Sequence, residues 1–210
     1  MKVLVFDTET TGLPKGKNPS IYKTELWPHI IQLSYIVYCS EENNLLTVED
    51  DYIKISDDVI IEEGSQAIHK ISREKLNKKG ISIEESLQKF NSWSEKCDLL
   101  VGHNVSFDKR MVMVEGIRNN IRMNINDTYC TMKQSIELCR IERQFPDGTK
   151  YFKYPSLSEL YKHLFNQIPK NTHNALIDIL ICMRCFCKIE LKKDISRINR
   201  TIRFMLREAH

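Results

Sequence analysis

The 210 residues suffice for one well-buried core and are few for two domains, and a composition 41% apolar and 28% charged excludes a disordered or fibrous chain. The formal net charge of +3 permits nucleic acid as a partner without demanding it, because local patches matter more than totals. No stretch approaches the ~18 uncharged apolar residues of a membrane-spanning helix, which argues against a membrane partner.

The run from 2 to 7 is continuous, apolar and rich in β-branched and aromatic types, so it predicts a strand buried on both faces. It is too short for a signal peptide, and acids follow at once, so the chain is expected inside a cell, in the cytoplasm or, in a eukaryotic or viral setting, the nucleus. Residues 14–28 hold three of the six prolines and form a loop. A second strand is expected over 29–38 and a third, at the sheet edge, over Tyr52–Ile55.

Helical patterns follow. Ser72 predicts a cap for a short helix through Leu76, and apolar residues at Ile83, Leu87, Phe90 and Trp93 predict a helix from Ile83 to Cys97. Leu99-Leu100-Val101 is a short strand stopping at Gly102, after which Asn104 or Ser106 caps a helix to about Gly116. Pro146-Asp147-Gly148 suggests a hairpin turn within a stretch, Arg140 to Tyr154, that interleaves basic and aromatic residues in the manner of a single-strand binder or of a solvated loop with packed aromatics. Ser156-Leu157-Ser158-Glu159 resembles a capping box opening a helix to about Phe165. Thr172 is expected to cap a helix from about Asn174 to Glu190, and a basic amphipathic helix over 194–208 closes the chain, to contact phosphate, solvent or a partner. Cys182-x-x-Cys185 is half of a zinc site with no second pair, so the seven cysteines are expected as reduced, mostly buried thiols. The order of elements predicts an α/β fold with a mixed sheet.

Some carboxylates sit where charge is costly. Asp7 and Glu9 follow the first strand and, two apart, share the face of Val3 and Val5. They form either a solvated strand end, with Thr10-Thr11-Gly12 as its turn, or a pair bridged by a divalent cation. Asp178 lies in a helix apolar nearly all round, so it needs a cationic partner, a metal, or a narrow exposed stripe. Asp108 falls in the first turn of its helix, where an acid also complements the helix dipole. His173 precedes the Asp178 helix and is expected at its mouth.

Phe6-Asp7-Thr8-Glu9-Thr10-Thr11-Gly12-Leu13, then Gly102-His103-Asn104-Val105-Ser106-Phe107-Asp108, then His173-Asn174-Ala175-Leu176-Ile177-Asp178 resemble, in order, the three exonuclease motifs of the DnaQ-like family in its DEDDh form. Ile68-His69-Lys70-Ile71-Ser72 resembles a stretch that usually carries Gly where Lys70 stands. The resemblance covers roughly residues 1–190, with 191–210 as a basic helix appended to that domain or part of it. It implies an RNase H-like fold and a 3′–5′ exonuclease releasing nucleoside 5′-monophosphates. It also implies two Mg2+ or Mn2+ ions on Asp7, Glu9, Asp108 and Asp178, with His173 as general base. Four carboxylates suit such a pair of cations on chemical grounds as well. Thr8, Thr10, Leu13, Asn104 and Phe107 are the expected contacts to the terminal nucleotide, Asn104 alternatively serving only as a helix cap, and Leu13 and Phe107 as packing.

The expected partner is a nucleic acid with a free, single-stranded 3′ end. The Asp-Thr-Glu-Thr-Thr-Gly wording is nearer to proofreading relatives, which suggests a polymerase acting in trans. The alternatives are an RNA-trimming, oligoribonuclease-like enzyme, a catalytically silent nucleic-acid-binding module and a metal phosphatase, while a P-loop NTPase is excluded by the absence of its motif.

Overall fold

In the computed structural model, which describes residues 1–125 and 127–209, the first strand runs past its acids, and β1 spans Lys2–Thr10. Strand β2 (Ile30–Cys39) lies antiparallel to it, with Val5 opposite Ile36 and Asp7 opposite Ser34, and the register shifts between Glu9 and Thr10. Such an irregularity re-aims side chains, and this one falls beside the acids. Strand β3 (Asn44–Tyr52) pairs with β2. On the other side β4 (Leu99–Gly102) and β5 (Thr128–Cys130) add in parallel, giving the order β3-β2-β1-β4-β5. The acid-bearing strand is therefore the centre of a mixed sheet.

The third strand is the edge strand, as expected, but it lies earlier than 52–55. Ile53 keeps only an isolated bridge to Ile81. Glu49, Asp50 and Asp51 disguise β3, and the structure accounts for two of them: Asp50 accepts from Gln32 and Ser34 at 2.6 Å each, and Asp51 accepts from Ser86 at 2.9 Å.

Helix α1 (Glu63–His69), which the sequence did not announce, ends at Lys70 in the left-handed conformation (φ 59°). This explains the departure noted there: Gly is the usual residue because it has no Cβ to clash. Ser72 caps α2 (Arg73–Lys79), one turn longer than predicted, and Ser82 caps α3 (Ile83–Ser94). Helix α4 (Val105–Arg118) follows β4, and two short helices, α5 (Thr131–Gln134) and α6 (Ile136–Cys139), follow β5. The predicted hairpin forms from β6 (Glu142–Gln144) and β7 (Lys150–Phe152). Its aromatics are not packed away: Phe145, Tyr151 and Phe152 are exposed, the first two stacked on each other at 4.3 Å. The capping box opens α7 (Leu157–Phe165). Helix α8 (Ala175–Ile189) is capped by Asn174, whose side chain accepts from the Leu176 amide at 3.1 Å, and not by Thr172. The closing helix is broken into α9 (Ile195–Ile198), α10 (Arg200–Met205) and a final 3-10 turn (Leu206–Ala209). Asn199 interrupts it in an extended conformation, its side chain capping α10.

Period-two alternation splits the core between the sheet's faces. Val3, Val5 and Val101 pack on α7 and α8, together with Ile195, Ile202 and Leu206. Leu4, Phe6 and Leu100 pack on α3 and α4. Of the seven cysteines all are free, and six are buried, as expected. Among the described residues no helix is long and apolar enough to cross a membrane.

Candidate active site

Asp7 and Glu9 continue the Val3–Val5 row, so they emerge on the α8 face of the sheet, beyond its apolar part. Asp178 stands in the first turn of α8, where the helix dipole favours a carboxylate. One oxygen from each of Asp7, Glu9 and Asp178 lies within 4.8 Å of the others. Three like charges so placed repel one another, and among the described residues none of the three forms a salt bridge with Lys or Arg. Such a set fits hard divalent cations, which take carboxylate oxygens.

Asp108 lines the same cavity but lies outside that tight group. It is buried, at 3% exposure, and gripped from β1, its Oδ1 accepting from the Thr8 hydroxyl at 2.7 Å and the Thr8 amide at 3.1 Å. Thr8 alternates with Asp7 and Glu9 and so faces the α4 side, where Asp108 sits. One strand thereby presents two acids on one face and positions a third from the other.

Burial and then the neighbouring carboxylates Asp108, Asp178 and Glu9 hold the Asp7 carboxyl well above the usual range. Burial, with Asp178 and Asp108 adding, pushes Glu9 up to about 8. Asp178 is raised to about 7 by burial and Asp108, against the opposing hydrogen bond from the His173 amide. Asp108 also rises to about 7 through burial, although Thr8 opposes it. A cluster that resists ionisation for want of counter-charge has the electrostatics that suit a bound cation.

His173 lies outside α8, exposed, on the rim of the cavity. Its backbone is left-handed (φ 64°), and its amide donates to Asp178 Oδ2 at 2.9 Å. A non-glycine residue held there stores strain, which tends to persist where a site needs the geometry. Asn104 is a second such residue (φ 70°). It occupies the N-cap position of α4, but its side chain makes no cap, so the capping role is not realised.

The remaining expected contacts divide. Asn104 and Phe107 line the acid cavity, and so does Thr8. The Thr8 hydroxyl donates to Asp108, however, and that of Thr10 to the Gly12 carbonyl at 2.7 Å, so each hydroxyl keeps only its acceptor lone pairs for a nucleotide. Leu13, 71% exposed, lines the adjoining cavity beside Phe107.

Sequence reasoning did not single out His103 as a site residue and named Lys153 and Tyr154 only within the basic and aromatic stretch 140–154, and all three line the cavity. Burial lowers His103 to about 4, so it is neutral. Its Nε2 must donate to the Pro155 carbonyl at 3.1 Å, so its Nδ1 accepts from Thr131 at 3.0 Å. This ring ties the β4–α4 turn to the segment before α7. A histidine ending an apolar strand was the available signal, but its partners lie too far along the chain to be inferred.

The sequence model of a family described as Exonuclease matches residues 4–186. No curated protein matches the chain. Among solved structures, E. coli exonuclease I in complex with a dA16 oligonucleotide is similar at TM-score 0.65 and 21% identity, over 98% of this chain and 45% of that one. The zinc-bound form of the E. coli exonuclease I–single-stranded DNA complex is similar at TM-score 0.65 and 20% identity, over 94% of this chain and 42% of that one. Exonuclease X in complex with 5′ overhanging duplex DNA is similar at TM-score 0.55 and 20% identity, over 95% of this chain and 99% of that one. The chain thus spans about half the length of the exonuclease I structures, 45% in the first case, and at these identities the likeness is one of fold. The expected α/β architecture, a mixed central sheet flanked by helices, is the fold of these exonucleases.

Proposed function

Since this chain belongs to the Exonuclease family, we propose that it is a 3′–5′ exonuclease that hydrolyses the terminal phosphodiester of DNA or RNA and releases nucleoside 5′-monophosphates. The observation that carries this is the convergence of three carboxylates without basic partners, with a fourth beside them, in one open cavity.

In this proposal Asp7, Glu9, Asp108 and Asp178 hold two divalent cations, Mg2+ or Mn2+. Bound there, the cations supply positive charge against the attacking and leaving oxygens of an in-line displacement. The carboxylates give up their protons as the site fills, which makes occupancy pH-dependent. Thr8 keeps Asp108 oriented. His173, at the cavity rim, takes the proton of the attacking water. Phe107 and Leu13 lie against the terminal base, where stacking tolerates any sequence.

The exonuclease I complexes contain single-stranded oligonucleotides, which favours a single-stranded 3′ end here too. The first motif's wording favours work beside a polymerase in trans, and free thiols suit a reducing compartment inside a cell. Residues 1–190 would form the exonuclease domain, with 191–210 packed on it as part of the same unit.

The test is incubation with 5′-labelled single-stranded DNA and RNA, with Mg2+, with Mn2+ and with EDTA. The expected result is a metal-dependent ladder shortening from the 3′ end, the faster substrate naming the sugar preference. A strong preference for RNA would make the enzyme an exoribonuclease. Binding without cleavage in every metal would leave a silent binding module and refute the proposal.

A further inference from the structure

By composition the basic and aromatic stretch 140–154 is the obvious strand binder, but most of its charge is already matched. Lys150 pairs with Glu142 at 2.9 Å, Lys153 with Glu159 at 2.7 Å, and Arg140 with Glu137 at 3.7 Å. A phosphate arriving there must compete with a carboxylate at each of these cations.

Unmatched charge lies elsewhere. The acid cavity, about 560 Å3, opens into a second of about 740 Å3, and Asn104, Phe107, Met132 and Tyr154 line both. The second shares Ser106, Arg110 and Lys133 with a third of about 500 Å3, which also includes Lys109. The three form one groove, with α4 on one wall and α5 on another. Its inner half is apolar and aromatic, where Leu13, Trp27, Phe107 and Tyr154 line it. Its outer half holds Lys109, Arg110 and Lys133. Among the described residues none of these three forms a salt bridge, and Arg110 donates to the neutral Asn18 side chain.

We propose that this groove is the track of the substrate strand 5′ to the cleaved bond, with bases against Tyr154 and Phe107 and backbone phosphates on Lys133, Arg110 and Lys109. The inference rests on the exonuclease reading above. A chain whose site carries four acids repels a polyanion, and unmatched cations one step out along the same groove are the arrangement that offsets this. Four aromatic or apolar side chains followed by three cations without a carboxylate partner among the described residues also match the physical needs of a single strand, which stacks its bases and neutralises its phosphates.

The experiment compares wild type with a triple variant, Lys109→Gln, Arg110→Gln and Lys133→Gln, and with the hairpin control Lys150→Gln. Oligonucleotides of roughly 4 to 16 nucleotides are bound in Ca2+ and cleaved in Mg2+, across a range of salt. A nitrophenyl ester of a nucleoside 5′-monophosphate, which reaches only the acid cavity, is assayed beside them. The triple variant is expected to raise Kd and KM for the oligonucleotides at least tenfold and to leave turnover of the ester unchanged. Its log–log salt dependence should flatten by about 2, since each single-strand phosphate contact contributes roughly 0.7. The Lys150→Gln control should match wild type. Unchanged oligonucleotide Kd and salt slope in the triple variant, with the ester still hydrolysed, would overturn the track while leaving the exonuclease in place. Loss of ester turnover in wild type itself would instead overturn the catalytic reading, and the Kd series would still decide the track.

Discussion

Asp178→Asn changes one oxygen to an amide and is expected to stabilise the metal-free protein. The asparagine Oδ1 can still accept from the His173 amide that now meets the carboxylate at 2.9 Å. What is removed is a charge that burial and Asp108 oppose, with the carboxyl moved from 3.8 to about 7. At about 1.4 kcal/mol per pH unit the upper bound is roughly 4 kcal/mol at pH 8. Partial exposure and sharing of protons within the cluster reduce this to about 2 kcal/mol. The folded state holds the proton more tightly than the unfolded chain does. The associated stability is therefore full below the carboxyl's ordinary value of 3.8 and is lost as pH rises through about 7. Thermal unfolding in EDTA should show wild type losing stability between about pH 4 and 7, with Asp178→Asn higher by roughly 4–8 °C at pH 8 and close to wild type below about pH 4. Saturating Mg2+ should reverse the order at pH 8, because the variant lacks a ligand. A variant no more stable than wild type at pH 8 in EDTA would show that the carboxylate ionises there at no cost, and the electrostatic case for a cation site would fail.

Asp7→Ala should abolish cleavage with the far-ultraviolet circular dichroism unchanged, and full retained activity would end the two-metal proposal. His173→Ala should slow the single-turnover step by roughly 10²–10⁴-fold, the usual worth of a general base, and an unchanged rate removes it from the mechanism. Thr8→Val deletes the 2.7 Å hydroxyl bond to Asp108 while keeping side-chain shape. The Mg2+ concentration for half-maximal activity should then rise about 10–100-fold, as when an outer partner of a metal ligand is lost, and an unmoved metal titration would contradict that role. Lys70→Gly relieves a left-handed lysine at φ 59° and should raise stability by about 1 kcal/mol in urea unfolding, where a loss would mean that the lysine side chain does more than endure its backbone.

Local pattern was enough for much of this protein. The alternation along β1 places Asp7 and Glu9 on one face whatever the rest of the chain does, because the period of a strand is two. An aspartate in the apolar α8 signals an unusual partner wherever that helix packs. The Ser156–Glu159 capping box is complete within four residues, whereas Lys70 was legible only as a departure from a usual glycine, and the structure alone shows it ending a helix. Strand β3 escaped because its acids are matched by Gln32, Ser34 and Ser86 from other elements. The final helix was overextended because the capping side chain of Asn199 competes with helix continuation only once its backbone is placed.

The grip of Thr8 on Asp108 and the His103 ring between Thr131 and Pro155 depend on residues far apart in the chain, and only packing brings them together. The same holds for charge. Counted along the sequence, the stretch 140–154 looks more basic than the groove beside α4, but folding pairs the first with Glu137, Glu142 and Glu159, while among the described residues no carboxylate pairs with Lys109, Arg110 or Lys133. Composition counts charges, whereas the potential a phosphate meets depends on which of them already have a partner a few ångströms away, and that is set by the tertiary fold.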